Sequence, residues 1–161
     1  MPWSKPYQPA KNQRLDAALY ACADRVCFFT LRAYQDNNPF SRRDLSVLVL
    51  DVLRAEQVLS SGVVFTYCLM PDHLHVLLSP SRTGVSALTF VDRFKGRSTN
   101  RSWTVGWQGK LWQPRSYDHI VRAEEDLLAI ANYILHNPVR KGLVDSLEEW
   151  PWCGNMNPLP L

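Results

Sequence analysis

The sequence predicts an α+β fold, an antiparallel sheet with helices packed on one face, and three observations lead there. Two β-branched and aromatic runs meet across a Pro71-Asp72 turn. Helical periodicity fills the stretches on either side of that pair. A last helical segment follows one more strand candidate, so the order reads β-α-β-β-α-β and then a helix.

The elements follow in chain order. Residues 1–14, with Pro2, Pro6 and Pro9, read as an extended or poorly ordered arm, and residues 15–161 as a single domain of ordinary size. From Asp24 to Tyr34, Val26, Phe28 and Thr30 alternate with Cys27, Phe29 and Leu31, the pattern of a strand that is apolar on both faces. Asn37-Asn38-Pro39 ends it. Ser41 is placed to cap a helix whose first turn holds Asp44. Leu45, Leu48, Val49, Val52, Leu53 and Val58 then keep helical spacing up to Gly62. Residues 63–70 and 73–79 form a hairpin, and residues 84–101 form a second helix on Val85, Leu88, Phe90, Val91 and Phe94. A Trp- and Gly-rich stretch leads to a strand or hairpin over residues 111–121. A last helix begins after Arg122, with Glu124, Glu125 and Asp126 in its first turn, and Pro138 stops it.

Composition bounds the class. The 161 residues are 46% hydrophobic and 20% charged, as in an ordinary globular protein. No apolar run reaches the roughly 18–20 residues that cross a bilayer, and the polar start has no apolar segment of a signal peptide. A cytoplasmic protein without a membrane partner is the expectation. Cys22, Cys27, Cys68 and Cys153 form no CxxC pair and read as small hydrophobes. The net charge of +3 is unevenly spread: nine basic side chains face four acidic ones between residues 93 and 141. That local excess suits either a phosphate backbone or a solvated face.

The candidate chemistry lies in two places. In His73-Leu74-His75 the two imidazoles project from one face of a strand while Leu74 enters the core. Neutral imidazoles held that close suit a divalent cation. Tyr133 and Asn137 stand one helical turn apart. The tyrosine hydroxyl is a potential covalent nucleophile, and the asparagine carbonyl is a hard ligand suited to Mg²⁺ or Mn²⁺.

Four blocks occur in order: Met70-Pro71-Asp72-His73-Leu74-His75, Trp112-Gln113-Pro114-Arg115-Ser116-Tyr117-Asp118-His119, Tyr133-Ile134-Leu135-His136-Asn137-Pro138-Val139 and Trp150-Pro151-Trp152. Together they resemble the HUH-type single-tyrosine transposases, and most the REP-associated tyrosine transposase branch, over about residues 15–155. The resemblance implies a ferredoxin-like or RRM-like sheet and a C-terminal helix that carries the nucleophile. It implies a metal held by His73, His75 and Asn137, and a 5′-phosphotyrosine bond made by Tyr133. It further implies a single-stranded DNA substrate beside a palindromic hairpin, handled by a monomer or a homodimer.

Arg93, Lys95, Arg97, Arg101 and Arg115 are the residues expected to hold DNA phosphates, and Trp103, Trp107 and Trp112 those able to stack bases. Tyr117 is a second candidate nucleophile, lacking a ligand one helical turn away, and His119 reads as structural. Two other functions stay open. One is a zinc hydrolase built on His73, His75 and His119 or Cys68. The other is a nucleic-acid-binding module that no longer cuts.

Overall fold

The structure is a computed structural model that describes residues 15–35, 38–122 and 125–161. The expected arm over residues 1–14, and Asn37 and Glu124, lie outside those residues. Five antiparallel strands form one sheet in the order β4-β1-β3-β2-β5. They are β1 (Cys27–Arg32), β2 (Gly62–Met70), β3 (His73–Pro80), β4 (Tyr117–Ile120) and β5 (Cys153–Asn155), and the helices α1 (Arg43–Leu59) and α2 (Ala87–Ser102) separate them as expected. Helix α3 (Leu127–Leu135) and the single turn α4 (Asn137–Arg140) follow β4. The architecture is the anticipated ferredoxin-like α+β sheet, extended at one edge by β5.

Strand pleat divides the interior in two. Phe29 and Leu31 of β1 and Leu74, Val76 and Leu78 of β3 meet Leu45, Val49 and Leu53 of α1 and Phe90, Val91 and Phe94 of α2. The alternate residues Phe28 and Leu77 meet Ile130, Ala131 and Ile134 of α3 on the opposite face. The two long helices therefore share one face, and α3 takes the other. Burial of each large apolar side chain contributes about 1.5–3 kcal/mol, so both faces favour the fold. A bulge in β2 between Val64 and Tyr67 shifts the phase of that strand. As a result Tyr67 and Leu69 join the first core, and Cys68 and Met70 join the second.

Three local expectations need correction. Ser41 does not cap α1: it ends a 3-10 turn, Pro39–Ser41, and Arg42 occupies the cap position. Proline starts that separate turn because its fixed φ suits a first helical position. The last helix is broken after Leu135, so Tyr133 lies on α3 and Asn137 opens α4, with Pro138 beside it. Proline lacks the N–H that would continue the ladder. Glu125 precedes α3, and Asp126 is its N-cap, accepting from the Ala129 amide. β5 has only three residues, Cys-Gly-Asn, too short and too polar to announce itself.

Arg97 has a partner inside the fold. Its Nε lies 2.9 Å and 3.0 Å from the two carboxylate oxygens of Glu56, a fully buried residue of α1. A buried carboxylate without its cation is costly, although the half-exposed arginine lets water soften the loss. Arg97→Ala is expected to lower unfolding stability by about 1–3 kcal/mol. Urea denaturation checks this, and an unchanged midpoint would leave Arg97 no structural role.

Candidate active site

His73 and His75 project from the same face of β3, with ring centroids 4.6 Å apart and planes at 75°. Leu74 between them is buried in the opposite core. The β1–β3 register sets Thr30 across from His75 and Arg32 across from His73. His75 Nδ1 lies 2.9 Å from Thr30 Oγ1. His73 Nδ1 donates to the Asp72 carboxylate at 2.7 Å, which leaves Nε2 of that ring with a lone pair.

Burial holds the pKa of His73 below the ordinary histidine value, although Asp72 pulls it back up. His75 is pushed well below that value, first by burial and then by His73, Arg140, Arg32 and Lys141. Both rings are therefore neutral near pH 7, the state in which imidazole binds a metal.

Asn137 is 2% exposed and reaches the same place from α4. Its Nδ2 lies 3.2 Å from His73 Nε2, and its Oδ1 accepts from Arg140 Nη2 at 3.3 Å. A half-turn of the amide exchanges nitrogen and oxygen and would present the oxygen to the space beside His73. Two neutral imidazoles and an amide oxygen are a donor set that could hold a divalent cation, with the amide as its hard ligand. Among the described residues no group of three His, Cys, Asp or Glu side chains gathers to hold a metal. His119 is held by the Glu125 carboxylate at 2.8 Å and 2.9 Å instead.

The half-buried Tyr133 ring lies 6.3 Å from His75. The Arg140 guanidinium sits 3.9 Å above that ring, and its Nη1 donates to the Tyr133 carbonyl at 2.6 Å. Arg140 thus clamps the break between α3 and α4, and it holds Tyr133 and Asn137 together without a continuous helix. A groove of about 550 Å³ runs over the site, lined among others by Thr30, Arg32, His73, His75, Tyr133, Asn137 and Lys141. Tyr117 lines it too, at 56% exposure, because β4 pairs it with Thr30. Arg32 and Lys141 in the lining, with Arg140 behind the Tyr133 ring, give the groove a cationic side suited to phosphate.

The expected DNA-contacting residues are placed elsewhere. Arg93, Lys95, Arg97 and Arg101 lie on α2, across the sheet from the histidines. Lys95 Nζ donates to the Gln113 carbonyl at 2.9 Å. Arg115 is exposed, and with Lys95 and Asp92 it borders a second hollow of about 500 Å³ beside Leu88 and Val91. Trp112 is 4% exposed, in the core with its Nε1 donating to Ser98, so it presents no face to a base. Trp107 also packs against that core, while Trp103 is 51% exposed. The sequence reasoning missed Thr30, Asp72, Arg32, Arg140 and Lys141 as parts of the site. Arg140 and Lys141 had a local signal, the three- and four-residue spacing after Asn137, and Asp72 adjoins His73 in sequence, whereas Thr30 and Arg32 had none.

Residues 55–137 match the family described as "Transposase IS200 like". This chain belongs to the IS200-like transposase family. The matched stretch of the IS200-like domain contains His73, His75, Tyr133 and Asn137. Two curated relatives carry the name REP-associated tyrosine transposase, one provisionally. The Haemophilus influenzae protein, the provisional one, is 26% identical over 95 residues, 53% of this chain and 54% of its own. The Escherichia coli protein is 26% identical over 86 residues, 53% of this chain and 50% of its own. The chain thus spans about half the length of the curated relatives it matches. A solved REP-associated tyrosine transposase bound to a REP hairpin shares the fold with a TM-score of 0.73 at 18% identity, over 90% of this chain and 82% of that one. No helix among the described residues is long and apolar enough to cross a membrane.

The two depressed histidines link stability to pH. The unfolded chain binds protons near pH 6.5, and the folded chain binds them only at lower pH. Their contribution is therefore intact above about pH 6.5 and is lost as pH falls through the folded values. Urea midpoints are expected to drop between pH 7.5 and pH 5.5, and less so in a His73→Gln, His75→Gln double variant. Equal drops in both proteins would place the titration elsewhere.

Proposed function

We propose that this chain is a single-strand DNA endonuclease and strand transferase of the HUH type, with Tyr133 as its nucleophile and His73, His75 and Asn137 as its metal ligands. The observation that carries the reading is convergence: one strand, a helix and a separate helical turn deliver these four side chains to one groove with cations along its side. The hairpin in the solved relative supports single-stranded DNA with a palindromic hairpin as the substrate. Such a protein would work where the DNA is, in the cytoplasm on the nucleoid.

Tyr133 Oη attacks the scissile phosphorus, and a phosphorus–oxygen bond to the tyrosine forms as the bond to O3′ breaks. The tyrosine proton leaves through the open groove, and the departing O3′ takes one up. Reversal rejoins the strand without ATP, because the phosphotyrosine bond retains the phosphodiester's energy. A bound Mg²⁺ or Mn²⁺ would polarise the phosphate and offset charge in the pentacovalent transition state. Thr30 and Asp72 each engage the Nδ1 of one imidazole and so keep the two rings oriented with Nε2 toward the site. Arg140 and Lys141 supply fixed positive charge beside the phosphate. Arg93, Lys95, Arg101 and Arg115 hold flanking backbone on the far face, with Arg97 divided between that role and Glu56.

The decisive experiment mixes the protein with hairpin-bearing single-stranded DNA and Mn²⁺. Wild type is expected to nick it and form a denaturant-resistant adduct. Tyr133→Phe is expected to lose both while binding DNA nearly as well, and Tyr117→Phe is expected to keep both. The opposite pattern would transfer the chemistry to Tyr117, and activity in both variants would make water the nucleophile. His73→Ala should lose most activity and recover part of it at raised Mn²⁺.

Binding should also weaken with salt. Four phosphate contacts predict a loss of roughly a hundredfold between about 50 and 200 mM salt. A flat titration would remove the phosphate-contact role from the α2 and Arg115 cations.

A further inference from the structure

The β2–β5 ladder sets Cys153 opposite Cys68, and both thiols are free. Backbone bonds flank this position on both sides. The Leu69 amide donates to the Trp152 carbonyl at 2.8 Å, and the Met156 amide donates to the Phe65 carbonyl at 2.8 Å. Ladder pairs alternate, so Cys68–Cys153 is a non-hydrogen-bonded pair, the type that brings Cα atoms to about 4.5 Å and lies within the span of a disulfide. At the next pair of this type, Thr66 Oγ1 reaches Asn155 Oδ1 at 2.6 Å, so side chains meet along this edge. The Cys153 thiol donates to the nearby Trp150 carbonyl at 3.6 Å. Cys68 is fully buried and Cys153 partly exposed, which makes Cys153 the point of attack.

We propose that Cys68 and Cys153 are a redox modification site that closes to a cross-strand disulfide, with a peroxide as oxidant. The Cys153 sulfur attacks one peroxide oxygen, the O–O bond breaks, and the leaving hydroxide takes the thiol proton as water. The Cys68 sulfur then attacks the Cys153 sulfenic sulfur, the S–S bond forms, the S–O bond breaks, and a second water leaves. Two thiols are oxidised by two electrons, and one hydrogen peroxide becomes two waters. The link fastens the C-terminal edge strand to β2 at the position facing His75. Both sulfurs belong to the core that holds Ile130 and Ile134 of α3, so oxidation tightens the hold on the helix that carries Tyr133. The inference does not depend on the proposed DNA chemistry.

The test treats the full chain with equimolar hydrogen peroxide, alkylates the remaining thiols and maps peptides by mass spectrometry. The expected result is the loss of two thiols, a Cys68–Cys153 linked peptide and a melting temperature higher by about 5–10 °C. Dithiothreitol should reverse all three. Cys22→Ser should still form the link. Cys153→Ala, at a partly exposed edge position, should lose the link and the thermal shift together. A link through Cys22 or Cys27, a fully reduced Cys68 after Cys153 has oxidised, or a lower melting temperature would each overturn the proposal.

Discussion

Burial of β3 on both faces is the constraint from which the site follows. All eight residues from His73 to Pro80 are buried, two of them imidazoles. A polar ring in such a place is costly unless a neighbour satisfies it. Thr30 on β1 and Asp72 in the turn do so, and each engages Nδ1 of its ring. The same burial disfavours the charged imidazolium, so both rings stay neutral. A strand that would otherwise be plain core thus presents paired lone-pair donors on one face while Leu74 and Val76 complete the opposite core.

The second face is then shaped by how α3 ends. Ile130, Ala131 and Ile134 fix α3 to the sheet, and the chain must turn at His136 to bury Asn137 beside His73. Pro138 enforces the break, and Arg140 spans it through the Tyr133 ring, the Tyr133 carbonyl and the Asn137 amide. An unbroken helix would leave the amide to the helix-face geometry of Tyr133 itself. The break lets one residue be buried against the histidines while the other stays half open to the groove.

Much of this was legible in the sequence because it rests on periodicity. The pleat alone placed His73 and His75 together, and helical spacing located α1 and α2. What stayed hidden depends on pairing across long separations. Thr30 joins His75 only through the β1–β3 register, and Glu56 meets Arg97 across 41 residues. Tyr117 looked isolated until β4 was set against Thr30. The edge strand β5 carries too few residues for a period to show, and its place comes from the ladder with β2.

Positive charge is distributed over two faces, and the sheet separates them. Arg32 and Lys141 line the groove and Arg140 stands beside it against Tyr133 and Asn137, so all three add to burial in depressing the proton affinity of His75. The α2 cations lie behind the sheet, where Arg97 is tied to Glu56 and Lys95 to the Gln113 carbonyl. Field strength falls with distance and with intervening solvent, so only the groove cations can act strongly on a phosphate at the tyrosine. The α2 and Arg115 cations suit longer-range attraction of a backbone that extends past the site. In the proposed reaction, grip and chemistry are thus assigned to opposite sides of one sheet, and a change on α2 should alter how tightly DNA is held more than what happens to its scissile bond.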